Sequence, residues 1–352
     1  MAGALTDPTR APVAFGRRAV PQLFGELQRA GAAARLRALT SLCDLVHEPE
    51  RLYQAVTGGF LKQLKVLFMD EDPSVRAKTC ELLHLLTSHS IGRQAVLASS
   101  LLPPLCQLLD DSSFSCRRNV HRVLSRLALL PAGAEALLSL VPKLMLKLTK
   151  EEDEEVQLLL LSTLTHCSRL DALPGLASDG VSLLGRKLSH RSSIIRREAA
   201  AAMMALSVPM DGKRQVCEDA EVLPVLVGLL RDKDVEVQAN AAGVIMNTVI
   251  ITTEVPVTAG KQRCLDLDVL PVLLGLLSEK HGDDDEEEMK KRRKALIVYV
   301  LRALTSLAEA PNGRRLLLEQ LPLLEKKAEA AEEDQDIRRA TQTAIQVITW
   351  TP

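Results

Sequence analysis

A four-residue signal recurs along this 352-residue chain: an aliphatic residue, usually Pro, any residue, then Leu. Its copies start at Val20, Leu61, Leu102, Val141, Val181, Leu223, Leu270 and Leu321, and read, for example, Val20-Pro21-Gln22-Leu23, Leu102-Pro103-Pro104-Leu105 and Leu223-Pro224-Val225-Leu226. Successive starts lie 41, 41, 39, 40, 42, 47 and 51 residues apart. A period in this range marks a stacked array of short helical units, each burying its apolar stripe only against its neighbours. Length alone would suggest two or three domains, but that expectation assumes separate globular cores and does not apply to an array.

The chemistry of one unit explains the signal. Proline fits the first turn of a helix, where its missing N–H has no intrahelical partner, and the following leucines, as in Leu226, Leu229 and Leu230, share one face. This helix stops at a polar turn such as Asp70-Glu71-Asp72-Pro73-Ser74, Asp110-Asp111-Ser112-Ser113, Ser189-His190-Arg191-Ser192-Ser193 or Arg231-Asp232-Lys233-Asp234, whose side chains are suited to cap the next helix. That next helix opens on a small or aliphatic residue and repeats it by fours, as in Val75/Thr79/Leu83, Ile195/Ala199/Met203, Val237/Ala241/Ile245 and Ile337/Thr341/Ile345. A short connector with Gly or Pro follows: Ser90-Ile91-Gly92-Arg93, Pro131-Ala132-Gly133, Met210-Asp211-Gly212-Lys213 or Ala310-Pro311-Asn312-Gly313. A brief helix such as Arg214-Gln215-Val216-Cys217 completes the unit.

Three helices per repeat, the first short, is the armadillo arrangement rather than the two-helix HEAT one. The expected fold is an all-α armadillo-repeat superhelical solenoid of about eight repeats over residues 19–352, after an N-terminal extension at 1–18. Two copies depart from the pattern. The fourth has the acidic turn Glu151-Glu152-Asp153-Glu154-Glu155, and its 171–179 stretch lacks the usual Gly-Lys/Arg connector. The seventh carries an acidic/basic insertion at 282–294, expected as an exposed loop whose basic half, Lys290-Lys291-Arg292-Arg293-Lys294, begins the third helix early. That block matches a nuclear-localisation pattern, but the acidic run from Asp283 to Glu288 compensates it, and a solvated loop is the favoured reading.

Composition narrows the partner. Lys plus Arg (44) balances Asp plus Glu (45), which leaves no global field for phosphate backbones, and aromatics at 2% offer few stacking platforms. Nucleic acid is therefore not expected. Seven cysteines (Cys43, Cys80, Cys106, Cys116, Cys167, Cys217, Cys264) lie singly without CxxC spacing and read as buried thiols of a reducing compartment. No run of 18 apolar residues and no secretory leader pattern occurs, so neither a membrane nor an export role is expected. Histidines at 47, 84, 89, 121, 166, 190 and 281 are scattered over different repeats, without HExxH or GxSxG. Cys80, His84 and His89 invite a metal reading, which a core thiol beside surface histidines outweighs. No catalysis, cofactor, metal or small-molecule substrate is expected.

The binding surface is expected on the third helices. Peptide-binding armadillo proteins of the importin-alpha and beta-catenin kind place Trp and Asn there, six and ten residues after the opening position, to hold an extended peptide. Here those slots carry Glu81 and Leu85, Arg122 and Arg126, Ala201 and Ala205, Gly243 and Asn247, and Thr343 and Val347. One Asn and no Trp is not a ladder. Arg122, Arg126, Asn240 and Asn247 are expected to contribute to a groove that receives a folded surface or a helix, with apolar contact supplying most of the energy.

Several strings placed in order along the array resemble the armadillo-repeat radial spoke head proteins. They are Asp7-Pro8-Thr9-Arg10-Ala11-Pro12 with Ala14-Phe15-Gly16, Leu42-Cys43-Asp44-Leu45-Val46-His47 with Glu48-Pro49-Glu50, Ser88-His89-Ser90-Ile91-Gly92-Arg93, Gly212-Lys213-Arg214-Gln215-Val216-Cys217, Asn240-Ala241-Ala242-Gly243 and Leu307-Ala308-Glu309-Ala310-Pro311. The likeness runs from about residue 7 to the C-terminus, while the first six residues and the insertion at 282–294 depart from it. It implies a non-enzymatic scaffold of motile cilia and flagella, placed in the cytoskeleton at the axoneme, that docks radial spoke subunits. The competing reading is a soluble adaptor that carries a cargo or signalling peptide.

Overall fold

The computed structural model describes residues 16–28, 31–250, 258–278, 287–330 and 334–350. Among these there is no strand, and the chain divides into two compact units, Met1–Leu138 and Ser139–Pro352. Repeats are numbered here by their third helices. The first unit contains those of repeats one to three, Ala32–Leu45, Pro73–Leu86 and Phe114–Leu127. The second contains those of repeats four to eight, Glu154–Leu170, Ser193–Leu206, Val235–Val249, Glu287–Leu307 and Gln335–Thr349. Within each unit, consecutive third helices pack side by side, and the shorter first and second helices cover them.

The apolar pattern sets this packing. Val75, Thr79 and Leu83, Ile195, Ala199 and Met203, and Val237, Ala241 and Ile245 are all buried. Ile337 and Ile345 of the last repeat are only half-buried, since their helix has a third-helix neighbour on one side alone among the described residues. Pro21, Pro103, Pro142, Pro224, Pro271 and Pro322 all sit in the first turn of a second helix. At the polar turns, Asp72 accepts from the Ser74 N–H (2.8 Å), Ser113 from Cys116 (3.4 Å), Asp153 from Val156 (2.9 Å) and Asp234 from Glu236 (2.9 Å). Each caps the third helix that follows. Ser192, in the equivalent place in repeat five, makes no such bond.

A second layer of order was hidden in these turns. Arg76, one residue after the opening Val75, donates to both carboxylate oxygens of Asp111 in the next repeat's turn, at 2.6 and 3.1 Å, and to the carbonyls of Asp70 and Glu71 in its own. Arg35 reaches Asp70 at 2.7 Å and Arg196 reaches Asp232 at 2.8 Å in the same way. The Asp111 and Asp232 side chains are 4% and 7% exposed, so these pairs are shielded from solvent. Burial by itself raises each carboxyl, but the Arg hydrogen bond together with a turn N–H outweighs it and holds both below the ordinary carboxylate range. The stability this lends is complete above the unfolded aspartate pKa of about 3.9 and is lost as pH falls through the lower folded value.

The glycine connectors are not connectors. Gly92, Gly133, Gly212 and Gly313 lie inside the first helices Ser90–Ala98, Pro131–Leu137, Met210–Glu218 and Pro311–Leu318. All four are buried, and a Cβ on them would stand 1.8, 2.0, 1.8 and 2.2 Å from the carbonyl oxygens of Leu86, Leu127, Leu206 and Leu307, at the end of the preceding third helix. Hydrogen alone fits there. In the fifth repeat the first helix shrinks to Leu173–Leu176 and the preceding third helix lengthens to 17 residues, which accounts for the irregular 171–179 sequence.

The seventh third helix begins early, in line with the expectation for the basic half of the insertion: from Glu287 the chain is helical and Lys290–Lys294 belong to a 21-residue helix, while residues 282–286 lie outside the described residues. The helix is held there by Arg292, which pairs with Glu288 one turn back (3.7 Å) and with Glu236 of the sixth repeat (3.0 Å). Glu287 and Glu288 also suit the positive end of the helix dipole.

Two changes test these joints. Asp111→Asn is expected to lower the free energy of urea unfolding at neutral pH by about 1 to 2 kcal/mol, because Arg76 loses its charged partner while keeping the Asp70 and Glu71 carbonyls, and to flatten the loss of stability between about pH 5 and 2. Gly212→Ala is expected to destabilise by about 2 kcal/mol, since the clash with the Leu206 carbonyl exceeds the roughly 1 kcal/mol gain in helix propensity. An alanine variant with an unchanged or higher urea midpoint would show that this contact can relax.

Candidate protein-docking surface

The exposed sides of the third helices form shallow grooves. In the first unit one of about 750 Å³ is lined by Ala77, Lys78 and Glu81 of repeat two and by Arg118, Asn119 and Arg122 of repeat three, with Leu36 at its edge. Arg122 and Arg126 share the helix Phe114–Leu127, one turn apart. Arg122 lies on the groove wall and donates to the Asn119 side-chain oxygen Oδ1 at 3.3 Å. Arg126 reaches back instead and donates to the His84 backbone carbonyl of repeat two at 2.6 Å. Burial, then the like charges of Arg93 and Arg122, push Arg126 below the usual guanidinium value.

Asn240 and Asn247 belong to the second unit, on Val235–Val249. Asn240 donates to the Arg197 carbonyl (3.2 Å), and Asn247 donates to the Met204 carbonyl (3.2 Å) and the Ser207 hydroxyl (3.0 Å). Both donor protons of the Asn247 amide are thereby taken. The slot four residues before it is closed as well: Gly243 is buried, and a Cβ there would stand 2.5 Å from the Met204 sulfur. The Met204 side chain occupies the space that a larger residue at that position would take.

A rule emerges that the sequence reading missed. Asn119 and Asn240 both stand three residues after the opening position, and both donate to a third-helix carbonyl one repeat earlier, Ala77 at 3.1 Å and Arg197 at 3.2 Å. Arg126 and Asn247 both stand ten residues after it and bond to the equivalent carbonyls of His84 and Met204. These polar side chains lace successive third helices together. The signal was present as Asn119, aligned with Asn240 once the repeats are set in register.

The tempting metal cluster does not form: no group of three or more His, Cys, Asp or Glu side chains able to hold a metal occurs among the described residues. Cys80 meets Cys116, not His89, with sulfurs 3.9 Å apart in the core. Burial pushes the thiols of Cys43 and Cys264 up to about 12 and that of Cys167 up to about 11, which suppresses the reactive thiolate. No helix among the described residues is long and apolar enough to cross a membrane.

Stacked three-helix units with a dominant third helix define the armadillo-repeat solenoid, and comparison with known proteins agrees. Residues 210–247, the three helices of the sixth repeat, match the Armadillo/beta-catenin-like repeat. A designed armadillo repeat protein is similar at 20% identity with a TM-score of 0.60, over 65% of this chain and 99% of its own length. The crystal structure of an engineered protein is similar at 19% identity with a TM-score of 0.76, over 95% of this chain and 89% of that one. At these identities the likeness establishes the fold.

Asn247→Ala is expected to lower the free energy of unfolding by about 1 to 2 kcal/mol, from two lost hydrogen bonds between repeats, and to weaken peptide binding little. Urea denaturation and a peptide-array titration of the same variant separate the two effects. Unchanged stability with a collapse of peptide affinity would reverse the assignment.

Proposed function

We propose that this chain is a non-enzymatic scaffold whose third-helix surfaces dock folded protein partners. The observation that carries this reading is the use of Asn240 and Asn247: a peptide-gripping ladder needs free side-chain amides along the groove, and here they fasten one repeat to the next. What is left for a partner is shape, small apolar surface and scattered charge such as Arg122, which suits a broad contact spread over several repeats. Terminal units with polar outer faces keep such an array soluble when free.

The setting we propose is the axoneme of motile cilia and flagella, with the chain acting as a homologue of radial spoke head protein 14 and its partners being neighbouring spoke subunits. The support is the ordered set of local strings from Asp7 to Pro311 that resembles those proteins. An assembly under repeated bending load gains from a joint whose repeats are pinned by shielded ion pairs such as Arg76–Asp111 and Arg196–Asp232.

A tagged protein expressed in multiciliated cells is expected to localise along the axoneme and to co-purify with spoke subunits by mass spectrometry. Diffuse cytoplasmic signal without spoke subunits would favour the soluble cargo adaptor. Arg122→Glu, placed on the groove wall and away from the Arg126–His84 bond, is expected to leave the urea midpoint nearly unchanged and to reduce incorporation into spokes. Full incorporation of that variant would remove Arg122 from the docking surface.

A further inference from the structure

In the second unit, the third helices of repeats seven and eight, Glu287–Leu307 and Gln335–Thr349, pack together and leave a groove between them. Its floor is built from Ala295, Val298 and Ala340, with the Tyr299 ring half-buried among them. Lys291, Arg302 and Arg339 stand exposed on its rim, and none has a carboxylate partner among the described residues. Lys294 is held from the side by Asp336 (2.6 Å) and Asp334 (3.1 Å). The groove thus carries four cations against the single lining carboxylate of Asp336, on a chain whose net charge is −1.

In the neighbouring groove of the same unit three of the five lining cations are paired: Arg196 meets Asp232, Arg197 meets Asp234 and Glu236, and Arg292 meets Glu236, while Arg231 and Lys233 stand beside them. Clustered cations raise one another's charging cost unless carboxylates relieve it, and in the groove of repeats seven and eight three of the four have no paired carboxylate among the described residues.

We propose that this groove docks an acidic segment of a protein partner. Lys291 and Arg302 lie eleven residues apart on one helix, about 16 Å at 1.5 Å per residue. An extended strand covers that span in about five residues at 3.3 Å each. The matching segment therefore carries acidic residues about five positions apart, with small or branched apolar residues between them over Ala295, Val298 and Ala340. Arg302 and Arg339 can each form a two-point contact with a carboxylate, which a lysine cannot. Tyr299 is the one aromatic ring in the groove, too few to stack successive bases of a single-stranded nucleic acid. The proposal rests on the protein-docking reading above and is independent of the axonemal setting.

The test uses the purified full-length chain and a fluorescein-labelled heptapeptide with a glutamate pair at each end of an Ala-Val-Ala spacer, titrated by fluorescence anisotropy at 50 and 200 mM salt. Binding is expected to weaken with salt, to fall at least tenfold when glutamines replace the glutamates, and to fall at least tenfold in Arg302→Glu/Arg339→Glu. That variant changes two exposed, unpaired side chains, so its circular dichroism and urea midpoint are expected to match the parent. Lys233→Glu, a cation outside the groove, is the control and is expected to bind like the parent. Equal affinity of the parent and the double variant would overturn the proposal, as would tighter binding of an oligothymidylate of matched charge. Failure of axonemal localisation combined with intact peptide binding would refute the setting and leave the groove standing.

Discussion

A third helix in this fold buries its apolar stripe against the third helices beside it in its unit and under the shorter first and second helices, and the specialised contacts serve the stacking of one third helix on the next. At its start, the Arg35–Asp70, Arg76–Asp111 and Arg196–Asp232 pairs tie one repeat's helix to the next repeat's turn. Along its length, Asn119, Arg126, Asn240 and Asn247 donate to the backbone of the preceding third helix. At its end, a buried glycine of the following first helix lies against the carbonyl of Leu86, Leu127, Leu206 or Leu307. Apolar burial is non-directional and would tolerate sliding between helices; these three contacts have fixed geometry and set the register.

This division of labour bears directly on function. Backbone carbonyls of the third helices are the natural partners for side-chain amides, so an Asn on that surface can serve the stack or a bound peptide. In repeat six it serves the stack, and Met204 fills the space beside Gly243 that a larger residue would take. The groove-lining side chains that remain are mainly cationic: Arg122, which also bonds Asn119, in the first unit, and Lys291, Arg302 and Arg339 in the second.

The features legible in the sequence were those expressed within a few residues of one another. The Pro-x-Leu signal, the stripes such as Val237/Ala241/Ile245 and the capping turns all state local chemistry, and the structure has them in place. Gly212 was read as a connector because a glycine near a turn ordinarily ends a helix; only the approach of the Leu206 carbonyl reveals the space that excludes a Cβ. Arg76 and Asp111 are 35 residues apart, and nothing local marks them as partners. Asn247 was weighed as a ligand-facing residue, although the same surface position can turn inward to a carbonyl. The basic block at 290–294 was legible as an early start of the third helix, but its partners Glu236, Asp334 and Asp336 were not, because they lie in other repeats far away in sequence.

The seventh repeat shows how a departure from the repeat rule creates a surface. Counting back from Leu307, the residue that meets Gly313, its opening position falls on Leu296, eleven residues earlier, as Ile195 stands before Leu206. Five residues before the opening, where repeats two, three and six have Asp70, Asp111 and Asp232, this repeat has Lys291. One residue after the opening of repeat six, where an arginine would reach for that aspartate, stands Gln238. The usual ion pair is therefore impossible at this joint, and the turn that would carry its acid is replaced by two further turns of helix. Arg292 restores the connection backwards to Glu236, and Lys294 restores it forwards to Asp334 and Asp336. Lys291 is the cation this exchange leaves over. It lines the same groove as Arg302 and Arg339, so the departure that rebuilt the joint also left an unpaired cation on that surface.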